Sequence, residues 1–322
     1  MPAFNPLVEK LAPPPVPSVF AWGRAYDGSR GPLIDLSQAV PGYPPHPDML
    51  TLLGEMAGST AYCGYGPIEG ETVLRQAYAE HVSEVYGAEI GSGNIHVTSG
   101  CNEAFVSAAM AVAGPGQTVL MTNPFYFNHE TTLAMMGVKI RTVACAAEDG
   151  FVPQVEAGWE DRLIGLYSFS KSFCIPGHRL GAITAGAKAV EQIAKIMDNL
   201  QICAPRAAQA AVARALPMLA DWREGNRQEI GRRAEALKAA LAQVPDWRID
   251  AIGAYFAFVR HPFPSLDSAA VAERLAKQAG VVCIPGMYFG EGQEHYLRFA
   301  FANADVPTIA LLEERLKNFA AG

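Results

Sequence analysis

None of the six cysteines, Cys63, Cys101, Cys145, Cys174, Cys203 and Cys283, stands in a Cys-x-x-Cys pair, and their spacing is wide and irregular. That leaves no dithiol or zinc motif and reads as reduced core thiols of a cytoplasmic protein. No metal site is expected. No run of about 18 apolar residues occurs, so no membrane span is expected. Residues 1–17 are rich in proline and lack a basic stretch followed by an apolar run, so they do not read as a signal peptide. Positive charge is not in excess either. The net charge is −7, which argues against a nucleic-acid surface. There is no internal repeat and no low-complexity block.

What is present is an ordinary globular composition, with 50% hydrophobic and 18% charged residues over 322 positions. That length suggests two packed units. The prolines of the first 45 residues (Pro13, Pro14, Pro15, Pro17, Pro41, Pro44, Pro45) predict an extended arm. Helices are predicted over 48–57 and 72–86, the latter from Leu74, Tyr78, Val82 and Val85 at helical spacing. A βα rhythm follows: strands at 95–98, 118–122, 138–143, 162–168 and 180–184, with helices at 102–112 and 127–136. This alternation predicts an α/β fold with a mostly parallel sheet flanked by helices. From about Lys188 some fifty residues read as helix, broken near Pro205 and Pro217. The tail reads as a smaller α+β domain: strands at 255–259, 281–284 and 296–301, helices at 268–280 and 307–319.

The strongest chemical signal is Lys171 in the run Ser168-Phe169-Ser170-Lys171-Ser172-Phe173-Cys174-Ile175-Pro176-Gly177-His178-Arg179. A Schiff-base lysine must be neutral at working pH, and apolar or cationic surroundings lower its pKa. Ser168, Ser170 and Arg179 offer two hydroxyls and a guanidinium for a phosphate beside that amine. The plain alternative is a surface lysine in a polar turn.

This run resembles the lysine signature of the class I and II aminotransferases, fold type I enzymes of the aspartate aminotransferase superfamily that use pyridoxal 5'-phosphate. The match is serine-x-serine-lysine with arginine eight residues on. Four other segments are similar to the same family, in its order. Tyr65, Gly70, Leu74 and Arg75 resemble a segment whose tyrosine reaches across a homodimer interface to the cofactor phosphate; otherwise Tyr65 is a packed loop aromatic. Thr98-Ser99-Gly100-Cys101-Asn102-Glu103-Ala104 resembles the phosphate cup, with Cys101 and Asn102 at a helix start whose free N–H groups suit an anion. Asn123-Pro124-Phe125-Tyr126-Phe127-Asn128-His129 resembles the segment whose aromatic residue, here Tyr126, stacks on the pyridine ring. His129 matches a supporting histidine; otherwise it is satisfied by backbone at a helix start. Arg298, interrupting the apolar strand His295-Tyr296-Leu297-Arg298-Phe299, matches the arginine that holds the substrate α-carboxylate. Its plain alternative is an internal salt bridge. The stretch Ser37 to Tyr43, with Val40 and Gly42, is similar to the segment that closes over substrate.

The resemblance runs from about Leu36 to Phe319 and implies a cytoplasmic, homodimeric aminotransferase acting on an α-amino acid and a 2-keto acid, without nucleic-acid or membrane partners. It implies an arm at 1–45 packing on the small domain, a large cofactor-binding domain at 46–205, and a spine helix and small domain at 206–322. Two family elements have no counterpart: an asparagine-proline-x-glycine-like turn, and an aspartate-x-x-tyrosine whose aspartate pairs with the pyridine nitrogen. The shortfall falls near 155–161. It is read as residues missing from the sequence as written rather than a genuine deletion, because a sheet cannot lose an interior strand without rebuilding. A C–S or β-elimination lyase of the same fold stays open as an alternative, as does a non-catalytic cofactor-binding relic if the deletion is genuine. Phe20, Tyr43, Tyr288 and Phe289 are pocket candidates, each equally a core residue.

Overall fold

The computed structural model describes residues 3–38, 40–152 and 163–320 of the chain. The strands in chain order are β1 (Ile34–Asp35), β2 (Ile95–Thr98), β3 (Thr118–Asn123), β4 (Lys139–Ala144), β5 (Ile164–Ser168), β6 (Gly181–Ala185), β7 (Arg248–Gly253), β8 (Phe256–Arg260), β9 (Val281–Val282), β10 (Ile284–Pro285) and β11 (Tyr296–Phe299). Contacts divide the chain into two compact units. One holds residues 43–115 and 155–225, the other 1–42, 116–154 and 226–322.

The first unit is built on the sheet β2-β6-β5, with β6 antiparallel to both neighbours, so that β2 and β5 run the same way. Three helices wall it. In the helix Thr72–Tyr86 the residues Leu74, Tyr78 and Val82 recur every four positions and are all buried. The helix ends at Gly87, which takes the left-handed conformation open to glycine at little cost. Met49, Leu52 and Leu53 come from the helix Pro47–Ala57, and Ala208, Ala211, Val212, Ala215 and Leu216 from the alanine-rich helix Arg206–Met218. They meet Val97, Phe169, Phe173 and Leu180 in one core. Burying each such leucine contributes roughly 1.5–3 kcal/mol. On the other side Val190, Ile193 and Met197 of the helix Ala187–Leu200 pack with Ala104, Ile183 and Ala185.

The second unit carries the antiparallel sheet β10-β11-β8-β7, the parallel pair β1-β9 and the parallel pair β3-β4. Its apolar cluster joins Val19, Phe258, Ala276, Val282, Ile284, Phe289 and Tyr296. The fully buried Arg315 guanidinium donates to the carbonyls of Ala279 and Pro32.

Most helix and strand bounds agree with the sequence reading to within a residue or two. Three features differ. The N-terminal arm holds two helices, Pro6–Glu9 and Val16–Arg24. Proline in the first turn is compatible with a helix because its missing N–H has no partner there anyway, and Val19 gains full burial. Strand β7 was not predicted. The closing helix is two short ones, Val306–Ala310 and Leu312–Lys317.

The α/β class holds, but its central sheet is in two parts. Among the described residues β5 is an edge of the three-stranded sheet and β3 pairs only with β4. β5 opens at Ile164, soon after β4 ends at Ala144. The expected break near 155–161 lies outside the described residues.

Candidate active site

In the first unit the site forms where three strand ends meet. Gly181 opens β6 and pairs with Thr98 on one side and Ser168 on the other. A β-carbon at Gly181 would sit 2.7 Å from the carbonyl carbon of Gly100 and 2.9 Å from the Cys101 nitrogen. Glycine there lets the start of the helix Cys101–Val112 close onto the sheet. Gly100 has φ 96° and caps that helix without a side-chain hydrogen bond. The first N–H groups of a helix have no acceptor within it, and they carry the positive end of its dipole. Asn102 is exposed in that first turn.

The other wall is the short helix Phe169–Ser172, which follows β5 directly. Ser168 caps it, accepting from the Ser170 N–H at 3.3 Å. Ser170 is 2% exposed, and its hydroxyl has no hydrogen-bond partner among the described residues. A buried, unpaired hydroxyl costs free energy that a bound oxyanion would return. Lys171 is half-buried, not a surface lysine. Burial and then the Arg179 cation lower its pKa, against a small opposing pull from Cys101. Burial raises the Cys101 thiol, so this cysteine offers backbone rather than a thiolate. Arg179, in the left-handed conformation at φ 48°, donates to the Pro176 carbonyl at 3.1 Å. Its guanidinium lies against Gly100. Glu103 accepts from the Ser99 N–H at 2.5 Å and is raised by burial.

The structure therefore gathers Cys101, Asn102, Ser168, Ser170, Lys171 and Arg179 at one sheet end. A phosphate needs donors and a cation, and an aldehyde needs a neutral amine; this donor set fits pyridoxal phosphate. Among the described residues no carboxylate acts on Lys171. Tyr65 stands apart, 80% exposed, and is not packed into its loop. That loop is held by Arg206, which reaches Glu71 at 2.6 Å and the Gly64 carbonyl at 3.0 Å.

In the second unit the centre is Arg298 on β11. It faces no carboxylate among the described residues, so the internal salt bridge is not there. Its guanidinium donates to the Ser37 carbonyl, while its buried Nε has no hydrogen-bond partner among the described residues. The guanidinium carbon lies 4.3 Å from the ring centre of Phe256 and 5.3 Å from that of Phe289. Burial pushes its pKa down to about 10, so it stays a cation at neutral pH. The segment after Ser37 runs alongside: Ala300 donates to the Leu36 carbonyl at 2.8 Å, and Gly42 to the Ala302 carbonyl at 3.0 Å. A β-carbon at Gly42 would stand 2.6 Å from the Asn303 oxygen, and Val40 is half-buried in this segment. Tyr126 precedes the helix Phe127–Met135 and acts electrostatically on Arg298. The His129 ring meets the Tyr126 ring edge-on at 5.2 Å, and the His129 backbone N–H donates to the Tyr126 carbonyl. Burial lowers the His129 pKa.

Sequence reasoning missed Phe256, which stacks on Arg298. The signal was there: Phe258 pairs with Arg298 across the ladder, and Phe256 is its same-face neighbour two positions back. Of the pocket candidates, Phe289 and Tyr288 lie in the Arg298 unit. Phe20 lines a cavity of about 160 Å³ with Gly23, Arg24, Leu33, Asp35 and Val282. Tyr43 packs edge-on against Trp222 at 6.4 Å, in the other unit.

The sequence profile of the family described as aminotransferase class I and II matches residues 32–161 and 151–316. The two matches meet where the shortfall was expected. The chain is 23% identical to the aromatic aminotransferase ISS1 of Arabidopsis thaliana, across 88% of this chain and 89% of that one. It is also 23% identical to an aspartate aminotransferase of Pyrococcus abyssi, across 74% and 80%. Among solved structures, substrate-bound BacF of Bacillus subtilis superposes with a TM-score of 0.88 at 17% identity, covering 98% of both chains. A double mutant of Thermus thermophilus aspartate aminotransferase superposes at 0.87 and 17% identity, covering 98% of this chain and 99% of that one.

Proposed function

This chain belongs to the class I and II aminotransferases, enzymes that depend on pyridoxal phosphate and move an amino group between an amino acid and a 2-keto acid, and we propose how its own residues divide that work. Lys171 would hold the cofactor through its amine. The backbone at Cys101 and Asn102, the hydroxyls of Ser168 and Ser170, and Arg179 hold its phosphate. The bound cofactor supplies an electron sink for the Cα–H bond of the amino acid. Tyr126 would stack on its ring, with the His129 ring edge-on to Tyr126. Arg298 clamps the α-carboxylate in a bidentate pair. The segment at Val40 and Gly42 closes over the substrate. With the cofactor bound, the Lys171 amine would take the proton from the substrate Cα and deliver it to the cofactor carbon that bears the nitrogen, as general base and then general acid. Tyr65, exposed on an anchored loop, completes the phosphate site of a second copy in a cytoplasmic homodimer.

The observation that carries this reading is the meeting at Gly181. The strands paired there lead into the Cys101–Val112 helix start on one side, and into Ser170 and the partly desolvated Lys171 on the other. The test is optical. The purified protein mixed with pyridoxal phosphate should develop a Schiff-base absorbance band. An amino acid should then bleach it, and a 2-keto acid should restore it. A band that no amino acid bleaches would contradict the assignment.

A further inference from the structure

We infer that the amino acid held on Arg298 carries a single carboxylate and an uncharged, apolar side chain. This rests on the assignment of Arg298 to the α-carboxylate and deepens it. The surroundings of Arg298 in its own unit are aromatic. Phe256 and Phe289 flank the guanidinium. Phe289 continues to Phe127 at 5.8 Å and Phe258 at 6.0 Å, and Phe127 to Tyr126 at 4.8 Å.

Charge is scarce beside these rings. Among the described residues, Tyr126 and Cys283 are the groups that act electrostatically on Arg298. Burial raises the Cys283 thiol, so it keeps its proton. The other arginines of this sheet are already committed. Arg248 and Arg260 both reach Asp250, at 2.5 Å and 3.4 Å. Arg233 of the same unit is bound to Glu229 and the Ala302 carbonyl. The polar neighbours Asn123 and Gln293 are neutral and bonded to each other at 3.3 Å.

One guanidinium neutralises one carboxylate. A second carboxylate, a few ångströms away on aspartate or glutamate, would be desolvated against ring faces whose quadrupole is negative. A basic side chain would bring a second cation against Arg298, and Asp250 of this sheet is already held by two arginines and the Tyr296 hydroxyl. An apolar side chain loses nothing there and gains burial against the rings.

The test uses the cofactor-loaded enzyme in two ways. Stopped-flow bleaching is measured with L-phenylalanine, L-leucine and L-methionine against L-aspartate and L-glutamate. The apolar donors should react with second-order rate constants roughly 100-fold higher. Calorimetry, which needs no turnover, compares 3-phenylpropionate with succinate; the monocarboxylate should bind about tenfold tighter. If aspartate or glutamate reacts as fast, or succinate binds as tightly, the preference is overturned and the aminotransferase assignment stands. If no donor bleaches the band while 3-phenylpropionate still binds, the assignment falls and takes the preference with it.

Discussion

Arg179 and Gly100 are fitted to each other: a β-carbon at position 100 would lie 2.9 Å from the central guanidinium carbon of Arg179. The glycine thus clears room for a cation that both lowers the Lys171 amine and stands at the helix start. Gly100→Ala should displace Arg179 and also strain the backbone, since φ is 96°. Such strain costs roughly 1–3 kcal/mol. The expected result is cofactor affinity lowered about tenfold or more, read by absorbance titration with pyridoxal phosphate.

Lys171 titrates below the ordinary lysine value of 10.5 because it is buried and faces Arg179. The neutral amine is the reactive form, and it grows as pH rises through that lowered pKa. The rate of Schiff-base formation should therefore climb with pH to a midpoint below 10.5. In Arg179→Gln the midpoint should move up, because a neighbouring cation is gone. Stopped-flow absorbance across a pH series reads both curves.

Among the described residues Arg298 has no carboxylate partner. Arg298→Ala should leave the cofactor band intact and lower kcat/KM for amino donors by the equivalent of about 2–5 kcal/mol. Arg298→Lys keeps the charge but not the planar fork, and should recover part of that loss. Steady-state kinetics beside the cofactor spectrum separates this from misfolding.

Tyr65 is 80% exposed on a loop tied down by Arg206. Sedimentation should give a species of twice 34.4 kDa. Tyr65→Phe should lower cofactor affinity severalfold without changing that mass. An unchanged affinity counts against a phosphate role for its hydroxyl.

Leu74 is fully buried in the core that backs the sheet under Lys171. Leu74→Ala should destabilise the fold by about 2–5 kcal/mol in chemical denaturation. Its effect on the cofactor should follow the loss of folded protein.

Local signals made much of this fold legible. Leu74, Tyr78 and Val82 repeat at helical spacing, and Gly114-Pro115-Gly116 separates a helix from a strand, so those elements read directly from the chain. The Ser168 to Arg179 run revealed the lysine, the hydroxyls and the cation together because a single strand–turn–strand passage holds them all. Phe256 was not legible because its role depends on strand register across β8 and β11, which sequence alone does not fix. Val16–Arg24 was hidden by its flanking prolines, whose fixed φ suits both an extended arm and a first helical turn. The orphaned Ser170 hydroxyl could not be read from the chain either, since burial is a property of packing.

The central claim is that Lys171 carries the cofactor. Borohydride reduction of the loaded protein, followed by proteolysis and mass spectrometry, tests it most directly. The account predicts a reduced pyridoxyl adduct on the peptide containing Lys171, and none on that peptide in Lys171→Ala. An adduct on another lysine with Lys171 unmodified would contradict it.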